Sequence, residues 1–313
     1  MKLLYTAEVK ASEIDHLGHM NVRYYMERAQ QANKALMDSF GIGPAACKAL
    51  GGRLTQADTY TRFHREQFQG STLAVRGGVL AASAEGLSLY FEVANDEKAQ
   101  IAATFIIGVS LFDRATRKRI ALPQDAVAKA AAELIEAPEH GQPRTVDLGA
   151  PRLDIRYEDL AQRLGDDHSD PMSRRMERVI EAADCDEFGF LADSQDMMFG
   201  TLRAPKAQDG EKWGPMTFVS DEGHRFGWAS MESRSVRVAQ PRAGDTLCSI
   251  GAEIGLYGKV RHSRRWIFNT TTGDLVSLND NVAIALDLDA RRSIAIPSKV
   301  RTALERRHFP EFA

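Results

Sequence analysis

The sequence has no pair of cysteines at C-x-x-C spacing. Its three, Cys47, Cys185 and Cys248, are scattered along 313 residues. That spacing excludes a zinc knuckle or a dithiol redox pair and fits reduced, mostly buried thiols. There is no basic excess either: a net charge of −3 and a pI near 6.3 give no electrostatic ground for binding nucleic acid. No apolar run approaches the length of a bilayer span. The opening "MKLLYTAEVKAS" is interrupted by Glu8 and Lys10 before it reaches signal-peptide length. A G-x-S-x-G elbow, a P-loop and a Rossmann glycine fingerprint are all absent. "GIGPAA" from Gly41 follows a helical stretch rather than a strand, so it reads as a cap and turn. The expectation is a cytoplasmic enzyme or binding protein with neither a nucleic-acid nor a membrane partner.

What is present is ordinary for a soluble globular protein, 43% hydrophobic and 27% charged. The length suits two domains. The chain also repeats itself. "RKRIALPQDAVAKAAAEL" from Arg117 and "RRSIAIPSKVRTALERR" from Arg291 share a basic turn, a short apolar strand, a proline and a helical tail. Pro123 and Pro297 stand 174 positions apart, as do Gly70 and Gly244 in "QGSTLAVRGG" and "RAGDTLCSIG". "IDHLG" at Ile14 parallels "CDEFG" at Cys185, with Asp15 and Asp186 separated by 171. Three matches in one order at nearly one offset point to a duplication.

Each half reads alike. A strand ("LYTAEVK"; "RMERVIEA") precedes the Asp-containing loop. A helix follows from about Asn21 to Phe40, with Val22, Tyr25, Met26, Ala29, Ala32, Leu36 and Phe40 as its apolar stripe and Gly41 as its cap. Four strands come next, over 54–67, 72–82, 87–94 and 100–112. The second half repeats them over 225–239, 246–256, 264–270 and 275–288, after a shorter helix in "DSQDMMFGTLRA". The domains expected are a first unit over 1–140, a connector over 141–172 without clear periodicity, and a second unit over 173–313.

The stretch "SEIDHLGHMNVRYY" from Ser12 carries the chemistry. Strand, Asp-x-x-Gly-His-x-Asn, long helix and four strands together resemble the hotdog-fold acyl-CoA thioesterases, in particular the 4-hydroxybenzoyl-CoA thioesterase-like branch. Two such units in one chain resemble the double-hotdog arrangement also found in acyl-ACP thioesterases. The resemblance implies an α+β fold: two tandem hotdog domains, each a long helix wrapped by an antiparallel sheet, forming an intrachain pseudo-dimer with the acyl group between them. It implies Asp15 as the catalytic carboxylate, either nucleophile or general base. It also implies Gly18 and His19 as the turn whose N–H groups polarise the thioester carbonyl, and Asn21 as the polar residue opening the helix. In the second half Asp186 and Gly189 match, but Phe190 and Ala192 replace the histidine and asparagine.

That chemistry stands without the resemblance. A thioester carbonyl needs an activated water or a nucleophile, plus donors aimed at the developing oxyanion. The first N–H groups of a helix are such donors. The leaving thiol, with a pKa of about 8.5, departs as thiolate with little acid assistance. No metal and no cofactor are expected, coenzyme A being part of the substrate.

Plainer readings compete. Asp15 can be a loop aspartate bonding to backbone, and Asn21 a simple N-cap. His16, His19 and Asp15 can be read as metal ligands, although no second ligand cluster accompanies them. "KVRHSRR" from Lys259 is the densest basic run, read as a turn entering a strand. Lys259, Arg261 and Arg264 there, and Arg62 and Arg65 in "RFHRE", are candidates for the phosphates of coenzyme A; the alternative is a solvated hairpin. Asp58, Glu66 and Glu232 are candidates for a second carboxylate, and the sequence does not choose among them. The function expected is hydrolysis of an acyl-CoA, with acyl-ACP hydrolysis or a non-catalytic acyl-CoA sensor as alternatives and a homodimer of such chains as a compatible assembly. A hydratase on the same fold calls for a His-centred signature that is absent.

Overall fold

The computed structural model describes residues 1–15, 17–164, 176–193, 218–220 and 222–313. It divides into two compact units, Met1–Arg144 and Thr145–Ala313. The second unit therefore takes in most of the stretch read as a connector. That stretch holds a helix (α4, Tyr157–Leu164) whose Leu160 and Leu164 enter the second core beside Trp266 and Phe268. Two buried leucines four apart are too short a pattern to stand out in a run of Pro, Gly and Asp.

Unit 1 opens with β1 (Lys2–Glu8), a short 3-10 turn (Ala11–Glu13) and the loop under discussion. It continues with α1 (Val22–Phe40), α2 (Pro44–Ala49), β2 (Gly52–Phe63), β3 (Thr72–Ser83), β4 (Gly86–Asn95), β5 (Gln100–Asp113), β6 (Arg119–Ile120) and α3 (Gln124–Ala131). The sheet is antiparallel in the order β1-β3-β4-β5-β2, with β6 added to β5. "GIGPAA" turns out to start a helix: Gly41 caps α1, and Pro44 sits in the first turn of α2, where its missing N–H costs nothing.

Side chains alternate across β4. Leu89, Phe91 and Val93 lie on the face that packs α1, while Tyr90 and Glu92 lie on the other. Tyr25 of α1 meets Phe63 of β2 edge-on, with ring centroids 5.9 Å apart, which marks the helix side of the sheet. After α3 the chain crosses the opposite face. Leu134 bridges Val79, the Ile135 N–H donates to the Val79 carbonyl at 2.8 Å, and Arg62 donates to the carbonyls of His140 and Gln142 at 2.9 Å each.

Unit 2 repeats the plan with β7 (Met176–Val179), β8 (Phe218–Val219), β9 (Arg225–Arg237), β10 (Thr246–Tyr257), β11 (Val260–Asn269), β12 (Leu275–Asp287), β13 (Arg292–Ser293) and α5 (Ser298–Glu305). Its order is β7-β10-β11-β12-β9, the counterpart of the first strand for strand. Glu253 bridges His308 where Val79 bridges Leu134, both partners displaced by 174. The helix expected in "DSQDMMFGTLRA" lies outside the described residues. The third strand of this half starts at Val260 rather than near Arg264: the hairpin loop is only Gly258–Lys259, so the basic run belongs to the strand. No described helix is long and apolar enough to cross a membrane.

Candidate active site

The loop between β1 and α1 is closed on itself by backbone bonds. The Asp15 N–H donates to the His19 carbonyl at 2.9 Å, the Gly18 N–H to the Asp15 carbonyl at 3.0 Å, and the Asn21 N–H to the Glu13 carbonyl at 2.9 Å. Gly18 takes φ +82°, a left-handed geometry that a side chain resists. Below the loop, Met20 is fully buried, and its N–H reaches the Gln67 carbonyl at 2.7 Å. Glu13 is held by the buried Arg28 of α1 at 2.7 Å, so the helix grips the loop by an ion pair as well as by packing. Sequence periodicity concealed that contact, because an arginine interrupts the apolar stripe.

Asp15 is mostly withdrawn from solvent, its side chain 13% exposed. Its Oδ1 accepts the Leu17 N–H at 2.8 Å, while Oδ2 lies 3.5 Å from Asn21 Nδ2 and 3.8 Å from His19 Nδ1. Asn21 caps α1, its Oδ1 accepting the Arg23 N–H at 3.0 Å. One end of Asn21 thus caps the helix while the other faces the carboxylate. His19 Nδ1 lies 3.1 Å from the Met20 carbonyl, and its Nε2 lies 3.5 Å from Glu66 Oε1. Glu66 is the carboxylate that the structure brings to this loop. Asp58 points from the other face of β2, opposite Gly108, and Glu232 accepts the N–H groups of Thr145 and Val146. Nothing in the sequence singled out Glu66, because its approach depends on how the β2–β3 connection folds back under α1.

Tyr25 fixes that connection. Its hydroxyl accepts the Gln67 N–H at 3.0 Å and lies 3.4 Å from the Arg65 carbonyl. Burial, with Glu66 nearby, pushes the phenol well above its usual range, so it stays protonated. Behind it, buried Asn95 donates to Gln67 Oε1 at 2.9 Å.

Among donors, Gly18 is not free, since its N–H is spent on Asp15. The amides of His19 and Val22, at the mouth of α1, have no acceptor among the described residues. The Val22 amide is one of those a helix start presents to an anion, and the His19 amide belongs to the turn just ahead of it. His16 lies outside the described residues. Among the described ones, no group of three or more His, Cys, Asp or Glu is arranged to hold a metal ion.

Unit 2 builds the same loop from different side chains. The Asp186 N–H donates to the Phe190 carbonyl at 2.8 Å, Gly189 N–H to the Asp186 carbonyl at 3.0 Å, and Ala192 N–H to the Asp184 carbonyl at 3.0 Å. Gly189 repeats the left-handed turn at φ +77°. The carboxylate environment differs. Asp186 Oδ1 accepts two amides, Phe188 at 2.9 Å and Phe190 at 3.2 Å. Phe190 is buried under Arg242, whose guanidinium carbon lies 4.6 Å from the ring centroid.

The candidate cationic residues are mostly engaged internally. Arg62 clamps the crossing chain as described. Arg261 pairs with Glu253, Arg264 pairs with Asp280 and with the Phe312 carbonyl, and Lys259 reaches Ser293. Arg65 is exposed.

Residues 9–130 match the model of the thioesterase-like superfamily. That stretch lies within unit 1 and spans less than half of the chain. No curated protein sequence matches the chain. Among solved structures, the 12:0-ACP thioesterase from Umbellularia californica is similar at a TM-score of 0.64 and 12% identity, over 90% of this chain and 93% of that one. An acyl-ACP thioesterase from Bacteroides thetaiotaomicron is similar at a TM-score of 0.60 and 11% identity, over 89% and 96%. At such identities the likeness is one of fold, and it extends the hotdog architecture of the thioesterase-like unit across both halves of the chain.

Proposed function

We propose that the chain hydrolyses an acyl-CoA thioester at the β1–α1 loop of unit 1. Asp15 Oδ2 takes a proton from water as the water oxygen bonds to the thioester carbon. The carbonyl oxygen gathers negative charge against the His19 and Val22 amides. When the intermediate collapses, the C–S bond breaks and the sulfur leaves as thiolate, the product acid keeping the new C–O bond. Direct attack by the Asp15 carboxylate, followed by hydrolysis of the anhydride, needs the same groups. Asn21 and His19 orient the carboxylate, and Glu66 holds the far edge of the His19 ring. Donors preset at a developing oxyanion are each worth roughly 3–4 kcal/mol.

The observation that carries this reading is the contrast between the two loops. Both keep the turn, but the second spends the amide after its glycine on the aspartate, whereas the first gives that amide no acceptor among the described residues and turns Asp15 Oδ2 towards Asn21 and His19. A free-thiol release assay over a panel of acyl-CoA substrates tests it, run on wild type, Asp15→Asn and Asp186→Asn. Wild-type turnover that vanishes in Asp15→Asn alone supports the assignment. A folded, fully active Asp15→Asn refutes it. An acyl-ACP substrate is the second reading, favoured by the carrier named for the two similar structures. The same assay with acyl-ACP in place of acyl-CoA decides between the carriers.

A further inference from the structure

One buried guanidinium ties the β1–α1 loop to the helix behind it. Arg28 of α1 is 4% exposed, and its planar fork reaches three elements at once. Nη2 donates to the Glu8 carbonyl at the end of β1 at 3.0 Å and to Glu13 Oε2 at 2.7 Å. Nη1 donates to the Tyr24 carbonyl in the first turn of α1 at 3.2 Å. A lysine ammonium, a point charge on a flexible stem, has no such fork. Glu13 is where the loop closes. Its carbonyl accepts the Asn21 N–H at 2.9 Å, its side chain accepts the Lys10 N–H at 3.1 Å, and Asp15 follows directly after Ile14. Fixing Glu13 to α1 therefore sets where the Asp15 carboxylate stands relative to the Val22 amide.

Unit 2 anchors its loop from other elements. Asp184, the counterpart of Glu13 at the 171-residue offset, pairs with Arg178 of β7. The far end of that loop is held by Arg237 of β9, which donates to the Leu191 carbonyl and to Asp193 Oδ1 at 2.9 Å each, and to the Ala192 carbonyl at 3.2 Å. Both of these cations stand on strands, so they tie the loop to the sheet. The turn itself is alike in the two units, with a left-handed glycine and matching backbone bonds. What Arg28 adds is a fixed distance between loop and helix start. That distance matters where a carboxylate and a helix amide must meet one carbonyl group together, because a misplacement of about 1 Å costs up to roughly 100-fold in rate.

We propose that Arg28 is a positioning residue for the reaction: without touching substrate, it holds the Asp15 loop in register with the start of α1 through Glu13. The proposal rests on the reading of Asp15 as the catalytic carboxylate.

Steady-state thiol release by wild type, Arg28→Met, Glu13→Gln and the double variant tests it, with Asp15→Asn as the control for the reading itself. Each folded single variant should lose roughly 10–100-fold in kcat, with KM within about twofold of wild type. The double variant should lose no more than the worse single one, because both substitutions remove the same device. Hydrogen exchange at the Asp15, Gly18 and Asn21 amides, whose bonds close the loop, should quicken in both variants while β4 and β5 keep their protection. Glu13→Gln carries the test if Arg28→Met does not fold. A folded Arg28→Met that keeps wild-type kcat, while Asp15→Asn is inactive, overturns the proposal and leaves the reading standing. So does a rise in KM alone, which would put Arg28 on the substrate, or unchanged exchange across the loop. A wild type that releases no thiol from either acyl-CoA or acyl-ACP overturns the reading and the proposal together.

Discussion

The backbone N–H of Phe190 donates to the carboxylate of Asp186 at 3.2 Å. At the same step of the first loop the His19 N–H makes no such bond to Asp15. On the proposed reading, this one amide, bonded to its aspartate in one copy and without an acceptor among the described residues in the other, separates the structural aspartate from the catalytic one.

The first prediction follows from that contrast. Asp15→Asn keeps an oxygen for the Leu17 amide but cannot take a proton from water. Thiol release should fall roughly 10²–10⁴-fold with the urea midpoint little changed. Asp186→Ala should do the reverse. It strips the Phe188 and Phe190 amides of their acceptor, costing about 1–3 kcal/mol, and should leave thiol release of the folded protein intact. Equal loss of activity in both variants would place chemistry in both loops.

The glycines of the two turns give a paired test. Gly18 and Gly189 both have φ near +80°, and in both places an added Cβ meets no atom within 4 Å. The penalty for alanine is therefore backbone strain alone, about 1–2 kcal/mol. Gly18→Ala and Gly189→Ala should lower stability by similar amounts in urea titrations, while only Gly18→Ala should reduce thiol release. A neutral effect of either on stability would mean that the turn relaxes out of the left-handed region.

Much of this was legible in the sequence because it is written in local terms. Asn21, Gly41 and the stripe from Tyr25 to Phe40 specify α1 almost to the residue, since caps and 3.6-residue periodicity act within a few positions. The 171- and 174-residue offsets reappear as matched hydrogen bonds and matched strand registers. Long-range relationships were not legible. Glu66 reaches His19 because Tyr25 anchors the β2–β3 connection, and Arg28, on the buried side of α1, pairs with Glu13 fifteen residues earlier in the chain. The basic run from Lys259 stood out for its charge, yet Arg261 and Arg264 are spent on carboxylates.

Tyr25 yields a further prediction. Its hydroxyl accepts the N–H of the buried Gln67. Tyr25→Phe keeps the ring against Phe63 and removes only that acceptor, so destabilisation of about 1–3 kcal/mol is expected. Hydrogen exchange at Gln67 should accelerate in step. Unchanged protection there would show that another group accepts the amide and that Tyr25 does not fix the segment bearing Glu66.

The last prediction concerns pH. His64 lies 3.2 Å from Thr104 Oγ1, with the His140 ring 6.2 Å away and Arg62, Arg65 and Arg144 around it. Burial first, and those cations second, pull its pKa from the ordinary 6.5 down to about 4. At neutral pH it is uncharged in both folded and unfolded chains and contributes no pH dependence. As pH falls below 6.5 the unfolded chain takes up this proton while the folded one does not until about pH 4, so stability declines across that window. His64→Gln keeps a partner for Thr104 and cannot titrate. Urea midpoints measured from pH 7 to pH 4 should therefore fall less steeply in His64→Gln than in wild type. Parallel curves would show that His64 protonates as readily folded as unfolded.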